Sequence, residues 1–221
     1  MTTPGAIIRG DGAPPMDSTV NRKGYDAFAN DYDATLAEWG YEAPEVAARL
    51  AAERLGPGAG TARVLDLGCG TGLSGVALKG AGVGRIDGVD LSPRSLALAA
   101  EKGVYGDLTE VDLNADPGSD GRRLPFGDDS FDGLVSVGVL TYLDAEPVLR
   151  EALRVVRPGG PVVVTSRDDL WVDRNYADML ERLEADGAGR VSAISDPEPY
   201  LPNNPDYGDR VRVIYLTLKP V

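Results

Sequence analysis

The chain has 221 residues, 43% of them hydrophobic, with 35 acidic against 22 basic side chains, one cysteine and no histidine. One cysteine excludes an intramolecular disulfide and a multi-cysteine zinc site, the missing histidines remove the commonest metal ligand and general base, and no apolar run approaches the ~18 residues of a membrane span. The net charge of −13, with no basic run longer than Arg22-Lys23 or Arg122-Arg123, argues against a nucleic acid partner, which takes a clustered basic face.

Residues 1–20 are rich in Gly, Pro, Thr and Asp without periodicity, so they read as a flexible arm ahead of one domain spanning 21–221. The start carries no charged-then-apolar signal pattern, which predicts a cytoplasmic protein. From Tyr25 the aromatics Tyr25, Phe28 and Tyr32 fall with Ala29 at i, i+3, i+4 and i+7, one face of a helix. That face either packs on a sheet or closes over a ligand. Pro44 to Leu55 is a second helix, with Pro in its first turn and Gly56 beyond its end.

The stretch Val64-Leu65-Asp66-Leu67-Gly68-Cys69-Gly70-Thr71-Gly72 reads as a strand breaking into a tight glycine turn that opens a helix. Glycines there let the chain turn sharply and let a ligand lie against its backbone. The spacing is Gly-x-Gly-x-Gly, with Leu73 where a dinucleotide fingerprint has its third glycine, which favours an adenosyl ligand over a pyrophosphate. Cys69 reads as a small buried residue of the turn. Leu73, Val76 and Ala77 predict the inward face of a short helix stopped by Gly80 and Gly82.

Ile86 to Asp90 is a second strand ending in an acid, and Asp90 lies 18 positions past Gly72, near the offset of about 20 at which such folds place a ribose-binding carboxylate. A solvated strand end is the alternative. Ser92 and Pro93 start the next helix, with Leu96, Ala99 and Ala100 inward and Gly103 as its stop. Leu108 to Leu113 predicts a third strand and Phe131 to Leu140 a fourth, the latter apolar on both faces. Ligands of open parallel sheets bind outside the carboxyl ends of the strands, so Val137 to Tyr142 should border the reacting group. Asp144 to Val156 is a helix closed by Arg157-Pro158-Gly159-Gly160, Pro161 to Ser166 a fifth strand, and Tyr176, Met179, Leu180 and Leu183 mark a final helix. Arg190–Ser195 and Val211–Leu218 predict an antiparallel pair across the loop 196–209. The alternation of strand and helix predicts an α/β doubly wound, Rossmann-like sheet with helices on both faces.

At Val64 to Gly72 the chain resembles the class I S-adenosylmethionine (SAM) dependent methyltransferases, and the resemblance runs from about Tyr25 to Asp169. Asp90, the lead-in Leu124-Pro125-Phe126 to Asp132 and the Arg-Pro-Gly-Gly turn all match the family pattern. Within it, the segments Tyr25–Pro44, Gly88–Pro93, Glu101–Tyr105, Val135–Gly138 and Thr165–Asp169 most resemble the Williams-Beuren-region methyltransferase-like proteins. That group has a histidine-containing stretch after strand four, where this chain has Leu140-Thr141-Tyr142-Leu143-Asp144, so histidine chemistry does not carry over. The resemblance implies the seven-stranded methyltransferase fold with strand order 3-2-1-4-5-7-6. It also implies a SAM site built from Tyr25, Tyr32, Asp66, Gly68, Cys69, Gly70, Gly72, Asp90, Leu91, Asp112, Leu113 and Val137, with the two tyrosines closing over the cofactor. Asp112 would take the adenine amino group, with Asp107 and Asp116 as rivals.

Methyl transfer from a sulfonium is an in-line displacement on an activated donor, so alignment and exclusion of water dominate and no metal is implied. An amine, thiol or ionised acid acceptor needs little base help, whereas a neutral alcohol wants Asp144, Asp168 or a tyrosine as proton acceptor. Tyr142, Arg167 and Asp168 are the candidate catalytic residues. The expected function is methylation of a small molecule in specialised metabolism by a monomer or homodimer. A SAM-consuming cyclase or lyase releasing methylthioadenosine, and a noncatalytic SAM-binding module, are the alternatives.

Overall fold

Four short apolar segments with buried side chains on both faces form the centre of a sheet: β1 (Arg63–Leu67), β2 (Arg85–Asp90), β4 (Gly133–Ser136) and β5 (Val162–Arg167). The computed structural model describes residues 31–115, 123–208 and 210–221. The residues 1–30, including Tyr25 and Phe28, and 116–122, including Asp116, lie outside the described residues. Further strands are β3 (Leu108–Glu110), β6 (Arg190–Ile194), the two-residue β7 (Glu198–Pro199) and β8 (Arg212–Lys219). The order is β3-β2-β1-β4-β5-β8-β6, with β7 on the side of β8. The first five are parallel, and β8 enters antiparallel between β5 and β6. This is the expected methyltransferase order 3-2-1-4-5-7-6 once the short β7 is set aside and β8 is taken as the seventh strand.

The helices are α1 (31–38), α2 (Ala43–Leu55), α3 (Leu73–Gly80), α4 (Pro93–Glu101), α5 (Ala145–Val155), α6 (Asp168–Asp173) and α7 (Tyr176–Ala185). Successive strand residues face opposite sides, so Leu65, Leu134 and Val164 join α5 and α7 in one core. Val64, Val135 and Val163 join α2, α3 and the 200–207 loop in the other. Both faces are covered, as a parallel sheet requires.

Several expected boundaries move. The third strand stops at Glu110, and the fourth is only Gly133–Ser136: Phe131 makes an isolated bridge to Val156, and Gly138 at φ +77 turns the chain out of the strand. Helix α3 buries Ser74, Gly75 and Leu78, while Val76 is exposed, because the Tyr105 ring lies against Gly75. Helix α4 buries Ser95 and Ala99 and leaves Ala100 exposed. The Ser92 cap is as expected, its side chain accepting from the Ser95 N–H at 3.0 Å. Helix α6 was not foreseen.

Candidate functional site

Because β1, β2 and β4 are parallel, their carboxyl ends meet at one edge of the sheet, and the glycine turn bends over that edge. Gly68, Gly70 and Gly72 hold φ of +75, +51 and +97, the left-handed region that side chains avoid. The turn is tied to β2, whose Val89 carbonyl accepts from the N–H groups of Gly68 and Cys69 at 2.8 and 2.9 Å. The Ser136 hydroxyl at the end of β4 donates to the Leu67 carbonyl at 2.9 Å.

A Cβ on Gly68 would come within 2.3 Å of a Val139 methyl, and one on Gly70 would meet nothing within 4 Å. The first glycine is needed for packing, and the second leaves its backbone bare toward open space. Gly68→Ala should therefore destabilise the protein by about 2 kcal/mol through overpacking and left-handed strain. Adding Val139→Ala should recover part of that loss in urea unfolding. A Gly68→Ala protein as stable as the wild type would contradict the packing argument.

Beside the turn lies a cavity open to solvent. Of the expected residues, Tyr32, Gly68, Gly70, Asp90, Leu91, Asp112, Leu113, Val137 and Tyr142 line it. Asp90 spans the entrance to the turn: its Oδ2 accepts from the Gly70 N–H at 2.8 Å and its Oδ1 from the Ser92 N–H at 2.9 Å. Asp112 lies in the turn after β3, where it accepts from the Asn114 N–H at 2.9 Å. The rival Asp107 is instead an exposed partner of Arg85 at 2.6 Å.

Asp66, Cys69 and Gly72 do not line the cavity, and Tyr25 lies outside the described residues. Cys69 is buried, and burial pushes its thiol pKa up, as befits an inert packing residue. Asp66 is fully buried beneath the turn, its Oδ2 accepting from the Tyr105 hydroxyl at 2.7 Å and its Oδ1 without a hydrogen-bond partner. Burial pushes the Asp66 pKa up to about 7; donation by Tyr105 lowers it, and nearby Asp90 raises it further. The Tyr105 hydroxyl in turn accepts from the Gly75 N–H at 3.1 Å.

Arg167 and Asp168 do not line the cavity. Arg167 is buried, pairs with Asp169, donates to the Tyr207 hydroxyl at 3.1 Å and stacks over that ring. Asp168 accepts from the Arg212 N–H at 2.8 Å, fastening β8 to α6. Both therefore have structural work at the strand end.

The expected border Val137 to Tyr142 supplies Gly138 and Val139 as well, whereas sequence reasoning missed Thr71, Ser95, Val111, Asn114 and Leu143 in the wall. The Tyr41 ring and the Tyr200 ring of the late loop are set edge to face at 5.5 Å beside that wall. Both hydroxyls lie against Gly138, 3.4 and 3.8 Å from where its Cβ would be. Their long-range approach to Gly138 sets them there. The wall has two carboxylates, Asp90 and Asp112, and no Lys or Arg among the described residues that form it. No group of three or more potential metal-ligating His, Cys, Asp or Glu exists among the described residues.

Residues 65–164 match a family model described as a methyltransferase domain. The chain is 33% identical over 166 residues to "Methyltransferase-like protein 27" of Homo sapiens, covering 74% of this chain and 65% of that one. It is 34% identical over 186 residues to "Demethylmenaquinone methyltransferase" of Mycobacterium tuberculosis, covering 80% of this chain and 71% of that one. Among solved structures, the [4+2]-cyclase SpnF superposes with a TM-score of 0.60 at 23% identity over 80% of this chain and 81% of that one, a likeness of fold.

Proposed function

Because the chain belongs to the class I SAM-dependent methyltransferase family, whose cofactor is SAM, we propose that it methylates a small-molecule acceptor. The observation that carries this reading is the single cavity wall in which the bare backbone at Gly70, the Asp90 and Asp112 carboxylates and the Val137–Leu143 segment converge. The wall suits SAM on two counts. Open space beside Gly70 leaves room for a ligand against the backbone, and carboxylates without a basic side chain complement a ligand carrying a sulfonium and an ammonium.

When bound, SAM supplies a methyl group on a positively charged sulfur, a carbon already activated for displacement. The protein's own work is then positioning. Asp90 accepts the ribose hydroxyls, Asp112 accepts the adenine amino group, and Tyr32 closes one side. Val137, Gly138, Val139 and Tyr142 form the wall that orients the acceptor and keeps water from the line of attack. An acceptor bearing an anion has no cation to meet in that wall, so an uncharged or cationic one is favoured. The mycobacterial relative named for demethylmenaquinone supports a small-molecule acceptor. The fold is shared with the [4+2]-cyclase SpnF, so the fold alone does not establish that the methyl group is given away.

The fate of the cofactor decides this. Transfer breaks the bond from sulfur to methyl and yields S-adenosylhomocysteine with an acceptor heavier by one methylene; attack by SAM on its own aminobutyl chain yields methylthioadenosine with no second substrate. Purified protein incubated with SAM alone is expected to leave it intact, and S-adenosylhomocysteine is expected once a panel of small hydroxyl, amine and thiol acceptors is added. Enzyme-dependent methylthioadenosine in the absence of an acceptor, read by mass spectrometry, would overturn transfer in favour of the cyclase.

A further inference from the structure

Helix α1 contributes Tyr32 to the cavity wall. Its C-terminal end is anchored away from the site, where the Asn203 N–H donates to the Trp39 carbonyl at 3.2 Å and the Asn203 amide donates to the Glu38 carbonyl at 3.2 Å. Leu36 is buried against the sheet. Near the cavity the Asp33 carboxylate ties α1 to the rest of the fold. Asp33 Oδ1 accepts from the Thr71 hydroxyl at 2.5 Å, and Asp33 Oδ2 accepts from the Lys102 ammonium at 2.6 Å.

Thr71 stands between Gly70 and Gly72 in the turn, is 3% exposed and lines the cavity. Lys102 caps the carboxyl end of α4, the helix that opens just after Asp90. One side chain of α1 thus holds the glycine turn and the helix behind the ribose acid at the same time.

We propose that Asp33 is a positioning residue that fastens α1, and with it Tyr32, against the glycine turn at the cofactor cavity, so that its bond to Thr71 slows the departure of SAM. The identity of the ligand rests on the function proposed above. Of the two ties, the one to Thr71 dominates. The Lys102 and Asp33 side chains are 33% and 31% exposed, and solvent-screened ion pairs of that kind contribute little. The Thr71 hydroxyl is buried and charge-assisted, and losing its acceptor leaves a desolvated donor unpaired. Gating of this kind shows in residence time and leaves the encounter rate largely unchanged.

The test is the dissociation rate of SAM from the full chain by surface plasmon resonance, with hydrogen exchange of residues 31–38 read alongside. Asp33→Ala and Thr71→Val are each expected to speed dissociation about tenfold, with little change in the association rate. The double variant should be no faster than either single one, because both break the same bond. Thr71→Ser should restore the wild-type rate, and Lys102→Met should stay within about twofold of it. If Asp33→Ala does not fold, Asp33→Asn, which keeps an oxygen for Thr71 but loses the charge, should fall between the wild type and Thr71→Val. Dissociation of Asp33→Ala within twofold of the wild type, independent multiplying effects in the double variant, or failure of Thr71→Ser to rescue would each overturn the proposal. A wild-type protein that does not bind SAM at all would instead remove the functional reading on which it rests.

Discussion

Asp90→Ala is expected to lower SAM affinity by about two decades, or 2–3 kcal/mol, in titration calorimetry. The carboxylate acts on both sides of the contact. Toward the protein it accepts from the Gly70 and Ser92 N–H groups, fixing the turn and the start of α4. Toward the cavity it faces the place where a ribose would lie, and an ionised carboxylate has about four acceptor sites, enough to serve backbone and hydroxyl together. Removing it leaves a backbone N–H of the turn without its acceptor in addition to the lost ligand contact. SAM affinity unchanged by Asp90→Ala would take this residue out of the site.

Asp66 should make the fold less stable as the pH rises from about 4 to 7. An unfolded aspartate loses its proton near pH 4, whereas burial holds the folded Asp66 protonated up to about pH 7. Between those values the folded state binds the extra proton, so stability falls as pH climbs through the window. The contribution is complete below about pH 4 and gone above about pH 7; a separation of roughly three units corresponds to the order of 4 kcal/mol. Asp66→Asn does not titrate and keeps an oxygen to accept from Tyr105. The stability of Asp66→Asn relative to the wild type, measured by urea unfolding, is therefore expected to rise by a few kcal/mol from pH 4 to pH 8. The relative measurement cancels the other carboxylates, which titrate in both proteins. A difference independent of pH would place the Asp66 proton elsewhere.

What could be read from the residues alone was what local chemistry dictates. A strand that breaks into glycines with left-handed φ, a Ser-Pro helix start and a strand ending in Asp90 are all written in short stretches. The parts that escaped depend on residues distant in the chain. Tyr105 gives no periodic signal, yet its ring fills the hollow over Gly75 and Gly88 and shifts the buried face of α3 away from Val76. Asp33 is one acid among many until folding sets it beside Thr71. The charged end of β5 looked like a pocket rim, but Arg167 is turned toward Tyr207 and Asp168 toward the β8 backbone, because the chain bends there into α6. The turn after Ser136 was hidden inside an apolar run, where only Gly138 marks the change of direction.

The antiparallel strand β8 has a consequence for how this protein is made. Its neighbours β5 and β6 are both synthesised before it, and β5 is buried along its whole length once β8 is in place. Until residues 212–219 leave the ribosome, the Val162–Val164 edge has no neighbour on that side, and an uncovered apolar edge is a template for pairing with another chain. The sheet therefore gains the neighbour that covers β5 only with β8, and the nascent chain carries an uncovered apolar edge, open to pairing with another chain, in the interval between β5 and β8.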